Sequence, residues 1–110
     1  MQIRSMKFRP VLLVLVLTGC KPSPSETIMD KIESSVRMPQ GGEALTRYRR
    51  YYHRDGHAVV GTYVLSSKPG REWREKTKTI MVLDGGCGVV NVVFSTKENR
   101  VTYTDCNGVA

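Results

Sequence analysis

The sequence predicts a small α+β domain, in which one N-terminal amphipathic helix packs on an antiparallel meander of four or five strands. Three observations support this fold class. Apolar residues recur at helical spacing early in the chain, β-branched runs separated by turn residues follow, and two cysteines bracket the last two runs. The domain is expected to comprise residues 24–110 and to end in a disulfide-bonded hairpin.

The helix is predicted over residues 24–37. Ser23 and Glu26 have the spacing of a capping box, in which Glu26 reaches back, and Pro24 occupies the first helical position. Pro39 and the glycines that follow it end the element. A helix lying on a lipid surface is the alternative, but the outward residues are mixed in sign, which favours packing on the sheet. The apolar residues of one helical face are Ile28, Met29, Ile32 and Val36.

Strand signals begin at Thr46. Residues 46–53 and 58–65 flank the Asp55-Gly56 turn signal and are expected to form a hairpin. After a turn at residues 66–70, the charged stretch 71–78 is typical of an edge strand or a loop. Residues 79–83 predict a further short strand.

The first twenty residues have the organisation of a secretory signal. Residues 1–10 carry three basic side chains and no acid, residues 11–17 are uninterrupted apolar, and small residues precede Cys20. Seven apolar residues span about 10 Å as a helix, against a hydrocarbon core of about 30 Å. A membrane-spanning helix is therefore the less favoured alternative, and residues 1–19 are expected to be cleaved.

The stretch Leu17-Thr18-Gly19-Cys20 resembles the lipobox of bacterial lipoproteins. The resemblance implies a thioether-linked diacylglycerol and an N-acyl lipid on Cys20, which becomes the first residue of a short tether over residues 20–23. It also implies that Lys21, which is not Asp, favours the periplasmic face of the outer membrane. Cleavage lowers the formal charge from +7 to +4, a weak bias toward anionic lipid or an acidic partner. Nucleic acid is not expected as a partner outside the cytoplasm.

With Cys20 lipidated, Cys87 and Cys106 form an even pair in an exported chain, which predicts a disulfide. The flanking runs, residues 89–95 and 100–105, predict a hairpin. If the two cysteines lie directly opposite each other, Val90 faces Tyr103, Val92 faces Val101, and these four side chains share one face. This register follows from the alternation of side chains along strands.

Catalytic motifs are not expected. The glycine-rich stretch at residues 84–88 has no Gly-Lys-Ser/Thr ending and leads into a strand, so it predicts a structural turn rather than a phosphate site. His53, Asp55 and His57 lie around one turn, where solvated side chains are favoured over a metal site. The sequence therefore predicts neither an enzyme nor a bound cofactor other than the lipid on Cys20.

The stretch from Tyr48 to Arg54 is the most distinctive polar segment, rich in tyrosine and arginine. Both residue types are enriched at binding hot spots. An ordinary strand with solvated arginines remains an equal alternative. The candidate binding surface consists of Arg49, Tyr51, His53, Arg54 and Trp73.

These observations predict a non-catalytic envelope module held at the membrane through its lipid, with an envelope protein or a lipid surface as its partner. A periplasmic inhibitor of a cell-wall hydrolase such as a lysozyme is the alternative. Lysozymes are usually basic, and this domain is basic too, so charge complementarity argues against that alternative.

Overall fold

In a computed structural model, residues 21–108 form a five-stranded mixed sheet with one helix on one face. The strands lie in the order β3-β1-β2-β4-β5. The predicted signal peptide and Cys20 lie outside the described residues. The elements are α1 (Pro24–Ser35), β1 (Tyr48–Asp55), β2 (Ala58–Leu65), β3 (Gly70–Trp73), β4 (Val89–Ser95) and β5 (Arg100–Cys106).

The predicted start of α1 is confirmed: Ser23 Oγ accepts a hydrogen bond of 3.2 Å from the Glu26 amide. The Glu26 carboxylate accepts from Arg71 on β3, at 2.8 Å. The helix ends two residues earlier than predicted, where the Ser34 and Ser35 hydroxyls both donate to the Lys31 carbonyl. Such side-chain bonds compete with helical amides for the carbonyl. No helix within residues 21–108 is both long and apolar enough to cross a membrane.

The predicted hairpin of β1 and β2 is confirmed, with Asp55 opposite Ala58 and Gly56 at a φ of 63° in the turn. The prediction of a purely antiparallel meander is wrong, because β3 runs parallel to β1, with Gly70 beside Arg49. One side of β2 is paired with β1 and the other with β4. The chain leaving β2 therefore passes to the free edge of β1, where it runs in the direction of β1.

The strand predicted at residues 79–83 does not form. The segment passes over the face of the sheet instead of along the free edge of β3 or β5, so its backbone has no strand to pair with. Thr79 Oγ1 lies 3.0 Å from His53 Nδ1, and the Val82 carbonyl accepts from Asn107 Nδ2 at 2.7 Å. We call residues 79–84 the crossover segment. It lies over the sheet face opposite α1, because His53 alternates with the core-facing Tyr52.

The predicted disulfide between Cys87 and Cys106 is confirmed, but the predicted register of the last hairpin is wrong. Val90 lies opposite Cys106, and a bulge separates the Val93–Tyr103 pair from the Phe94–Val101 pair. The cause is the position of Cys87, which lies in a helical turn before β4 and not within the strand. Closing a loop of this length stabilises the domain by about 3 kcal/mol.

The core lies between α1 and the sheet. Tyr52 and Tyr63 meet edge to face, with ring centroids 5.7 Å apart. A Cβ at Gly61 would lie 3.0 Å from both rings, so the absent side chain makes room for the pair. The buried apolar side chains of this cluster are Met29, Ile32, Tyr48, Tyr52, Val59, Tyr63, Val90, Val92 and Phe94.

A buried polar network crosses the interface between α1 and the sheet. Glu33 Oε2 accepts from Arg50 Nε at 2.9 Å and from Tyr52 Oη at 2.8 Å. Arg71 Nη1 lies 3.3 Å from the second carboxylate oxygen. Arg50 is only 9% exposed, so Glu33 supplies the charge that its burial requires.

Replacing Glu33 with Ala should destabilise the domain by about 3 kcal/mol, because removing one partner of a buried ion pair leaves the other uncompensated. The measurement is the free energy of unfolding in urea. Glu26→Ala is the matched control, since Glu26 also bonds Arg71 but is exposed, and should cost less than about 1 kcal/mol. Equal losses in the two variants would show that the Glu33 network contributes little.

Candidate binding surface

The sheet face opposite α1 carries three of the five candidate residues: Arg49, Tyr51 and His53. They alternate along β1 with the core-facing Tyr48, Arg50 and Tyr52. The other two lie elsewhere. Trp73 pairs with Tyr52 and packs half-buried against the core, and Arg54 is exposed near the end of β1, opposite the core residue Val59.

A charged cluster around Tyr51 occupies this face at the β3 edge. Glu72 Oε1 accepts from Arg49 Nη2 at 2.8 Å, and Glu72 Oε2 accepts from Arg74 Nε at 2.7 Å. The Arg74 guanidinium carbon lies 4.8 Å from the centre of the Tyr51 ring, and that of Arg49 lies 6.0 Å away, both within cation–π range. We call Arg49, Tyr51, Glu72 and Arg74 the Tyr51 cluster.

The candidate surface predicted from the sequence did not include Glu72 or Arg74, although both lie in the charged stretch 71–78 and Arg74 adjoins the candidate Trp73. The missing information was the parallel pairing of β3 with β1, which places Glu72 directly beside Tyr51. Alternation along β3 would have been the available signal, because Glu72 and Trp73 must point to opposite faces.

In the Tyr51 cluster, Glu72 and the two arginines stabilise each other's charged forms. The hydrogen bonds from Arg49 and then Arg74 lower the pKa of the Glu72 carboxyl, and the bond to Glu72 raises the pKa of Arg49. The cluster therefore carries one net positive charge and a flat aromatic–guanidinium surface. A cavity of about 320 Å³ opens beside it, lined by Glu72, Trp73, Arg74, Glu75 and Lys78.

His53 lies beneath the start of the crossover segment, only 8% exposed, with Nδ1 at 3.0 Å from Thr79 Oγ1. Burial lowers its pKa; the Asp55 charge opposes this shift and the Lys76 charge adds to it. Asp55 itself contacts Lys76 Nζ at 3.0 Å. In the part of the chain that the structure describes, no three His, Cys, Asp or Glu residues are grouped as metal ligands would be.

A second group of titratable residues, the Tyr52–Tyr63 pair, is enclosed under α1. The two hydroxyl oxygens are 2.6 Å apart, and burial raises the pKa of Tyr63 to about 12. Burial raises the pKa of Tyr52 further, so both hydroxyls stay protonated and serve as hydrogen-bond donors. The arrangement fits a structural role, because neither side chain reaches the surface.

Comparison with known proteins gives no relative: no protein-family model, no curated protein and no solved structure matches the chain. The function must therefore be argued from the residues themselves.

The stability of the domain should fall as the pH is lowered from 7.5 to 5.5, in part through His53. Burial holds the pKa of folded His53 below the ordinary value of 6.5, so the unfolded chain takes up its proton first. Below the folded pKa this contribution becomes constant. Urea unfolding at three pH values measures it, and His53→Gln should reduce the loss, whereas the exposed-turn control His57→Gln should not. An unchanged pH dependence in His53→Gln would contradict this assignment.

Proposed function

We propose that the protein is a lipid-anchored module of the cell envelope that binds another envelope protein through the Tyr51 cluster and catalyses no reaction. The observation that carries the binding role is the cluster's geometry: a tyrosine ring flanked by two guanidinium groups that share one carboxylate. Tyrosine and arginine dominate the energetics of protein interfaces, especially when held rigid before binding.

The anchor is supported by the lipobox-like residues 17–20 together with the Cys87–Cys106 disulfide. Disulfides persist mainly in oxidising compartments such as the periplasm, the compartment that an outer-membrane lipoprotein faces. Because α1 begins at Pro24, three tether residues of about 10 Å would separate the domain from its lipid. A domain held so closely would meet partners at or near the membrane surface.

A protein partner is favoured over lipid headgroups by the pairing within the cluster. Arg49 and Arg74 both already donate to Glu72, so neither guanidinium presents a full uncompensated charge to a phosphate. A flat patch whose two guanidinium groups share one carboxylate suits a protein interface, where a partner carboxylate can pair with the one remaining positive charge.

The anchor is tested by the intact mass of protein isolated from membranes, before and after reduction and thiol alkylation. The expected species begins at Cys20, carries two or three acyl chains, and has Cys87 and Cys106 alkylated only after reduction. A chain that retains residues 1–19 without lipid, or one with two free thiols, would overturn the proposed localisation.

The binding surface is tested by photo-crosslinking in cells that make the full chain. A photoreactive phenylalanine at position 51 should give a discrete protein adduct, whereas the control at Thr27, which is exposed on α1 on the opposite face of the sheet, should not. Arg74→Ala should reduce the adduct from position 51, because the aromatic ring kept there loses its stacked guanidinium. An adduct with a cell-wall hydrolase would favour inhibition of that enzyme, and lipid adducts alone would overturn the protein-binding role.

A further inference from the structure

Strand β5 forms one edge of the sheet, and within residues 21–108 no strand lies on its outer side. The Asn107 amide, just beyond β5, donates to the Val89 carbonyl, so the alternation of antiparallel pairing turns the backbone groups of Thr104 outward. Val101 also faces outward, because it lies opposite Phe94, whose own backbone groups pair with β2. Val101 and Thr104 therefore present an N–H and a C=O at this edge, where another strand can pair.

The edge formed by β5 is long and open. It has seven residues and contains neither Lys nor Pro, two residue types that commonly protect an edge strand. Strand β3, at the other edge, has only four residues and begins directly after Pro69. A cavity of about 360 Å³ lies between the end of α1 and residues 101–104, so space beside β5 is free.

The bulge in β5 determines which strand fits this edge. Thr102 is the extra residue, so Val101 and Thr104 lie three positions apart although both turn outward. In a regular strand, outward-facing backbone groups are two residues apart. A regular strand therefore cannot match both positions, whereas a second copy of β5 carries the same bulge and the same spacing.

We propose that β5 pairs antiparallel with β5 of a second copy of this chain, about a two-fold axis perpendicular to the sheet, so that ten strands form one continuous sheet. Val101 of each copy lies opposite Thr104 of the other, and each such pair exchanges both backbone hydrogen bonds. Thr102 of one copy meets Tyr103 of the other beside the axis. This pairing goes beyond the proposed binding role and uses no residue of the Tyr51 cluster.

Opposite charges meet in this register, because Arg100 of each copy lies opposite Asp105 of the other. Both side chains point away from α1, since their partners on β4, Ser95 and Asn91, alternate with core residues. Without the bulge, residues five positions apart would lie on opposite faces of the strand. Arg100 bonds Glu98 only through Nε and Nη2, which leaves Nη1 for the second copy.

The two-fold axis is compatible with the proposed anchor. Rotation about an axis perpendicular to the sheet keeps both α1 helices on the same face, so both tethers leave on one side and reach one bilayer. Anchoring in a common plane raises the local concentration of β5 edges, which favours pairing through an interface as small as one strand. Arg37, near the axis at the end of α1, is exposed, so repulsion from its counterpart is screened by solvent.

The test is thiol crosslinking of the full chain in its membranes, using Thr102→Cys and a short bis-maleimide. A dimer of twice the chain mass is expected. Thr27→Cys is the matched control: it is also exposed but lies at the start of α1, on the side of β3, and should give about tenfold less dimer. Thr104→Pro in the Thr102→Cys background should abolish the dimer, because it removes an outward N–H that β4 does not use.

The decisive test exchanges charges between two differently tagged chains that both carry Thr102→Cys. Arg100→Asp or Asp105→Arg, each made alone, should lower dimer yield about tenfold, because both charge pairs become like-charged. Made together, the two variants should crosslink to each other at the original yield, since both pairs re-form between unlike chains. Failure of the mixed pair to recover, equal yield at Thr27→Cys, an unchanged yield with Thr104→Pro, or adducts only with other proteins would each overturn the proposal.

Discussion

The carboxylate of Glu33 is the contact on which the arrangement of helix and sheet depends. It receives Arg50 and Tyr52 from β1 and lies near Arg71 from β3, so one side chain of α1 ties two strands of the sheet to the helix. An apolar core permits small sliding movements, but a buried carboxylate with fixed donors specifies one position along the sheet. The Tyr52–Tyr63 hydroxyl contact extends this specification to β2.

With α1 fixed on one face, the other face of the sheet determines what the molecule can present to partners. The covering there is a single extended segment, which half-buries Ile80 and Val82 but leaves Met81 and Leu83 in solvent. One segment is too narrow to shield five strands. The Tyr51 cluster and the exposed apolar side chains therefore share the face that α1 does not cover.

Local signals in the sequence predicted the cap at Ser23, the β1–β2 hairpin and the disulfide, because each depends on residues close in sequence or on cysteine number. The parallel placement of β3 was not predictable in this way, since it depends on which strand edges remain free. The register of the last hairpin failed because the disulfide was assumed to join opposite strand residues. Because the pairing of β3 with β1 was not predicted, the contacts of Glu72 and Arg74 with Tyr51 and Arg49 were not predicted either.

Arg74 links the two surfaces of this face. Its Nε donates to Glu72 beside Tyr51, and its Nη1 donates to the Lys78 carbonyl at 3.1 Å, immediately before the crossover segment. A partner that reorders the Tyr51 cluster must act on the same guanidinium that holds the start of the crossover.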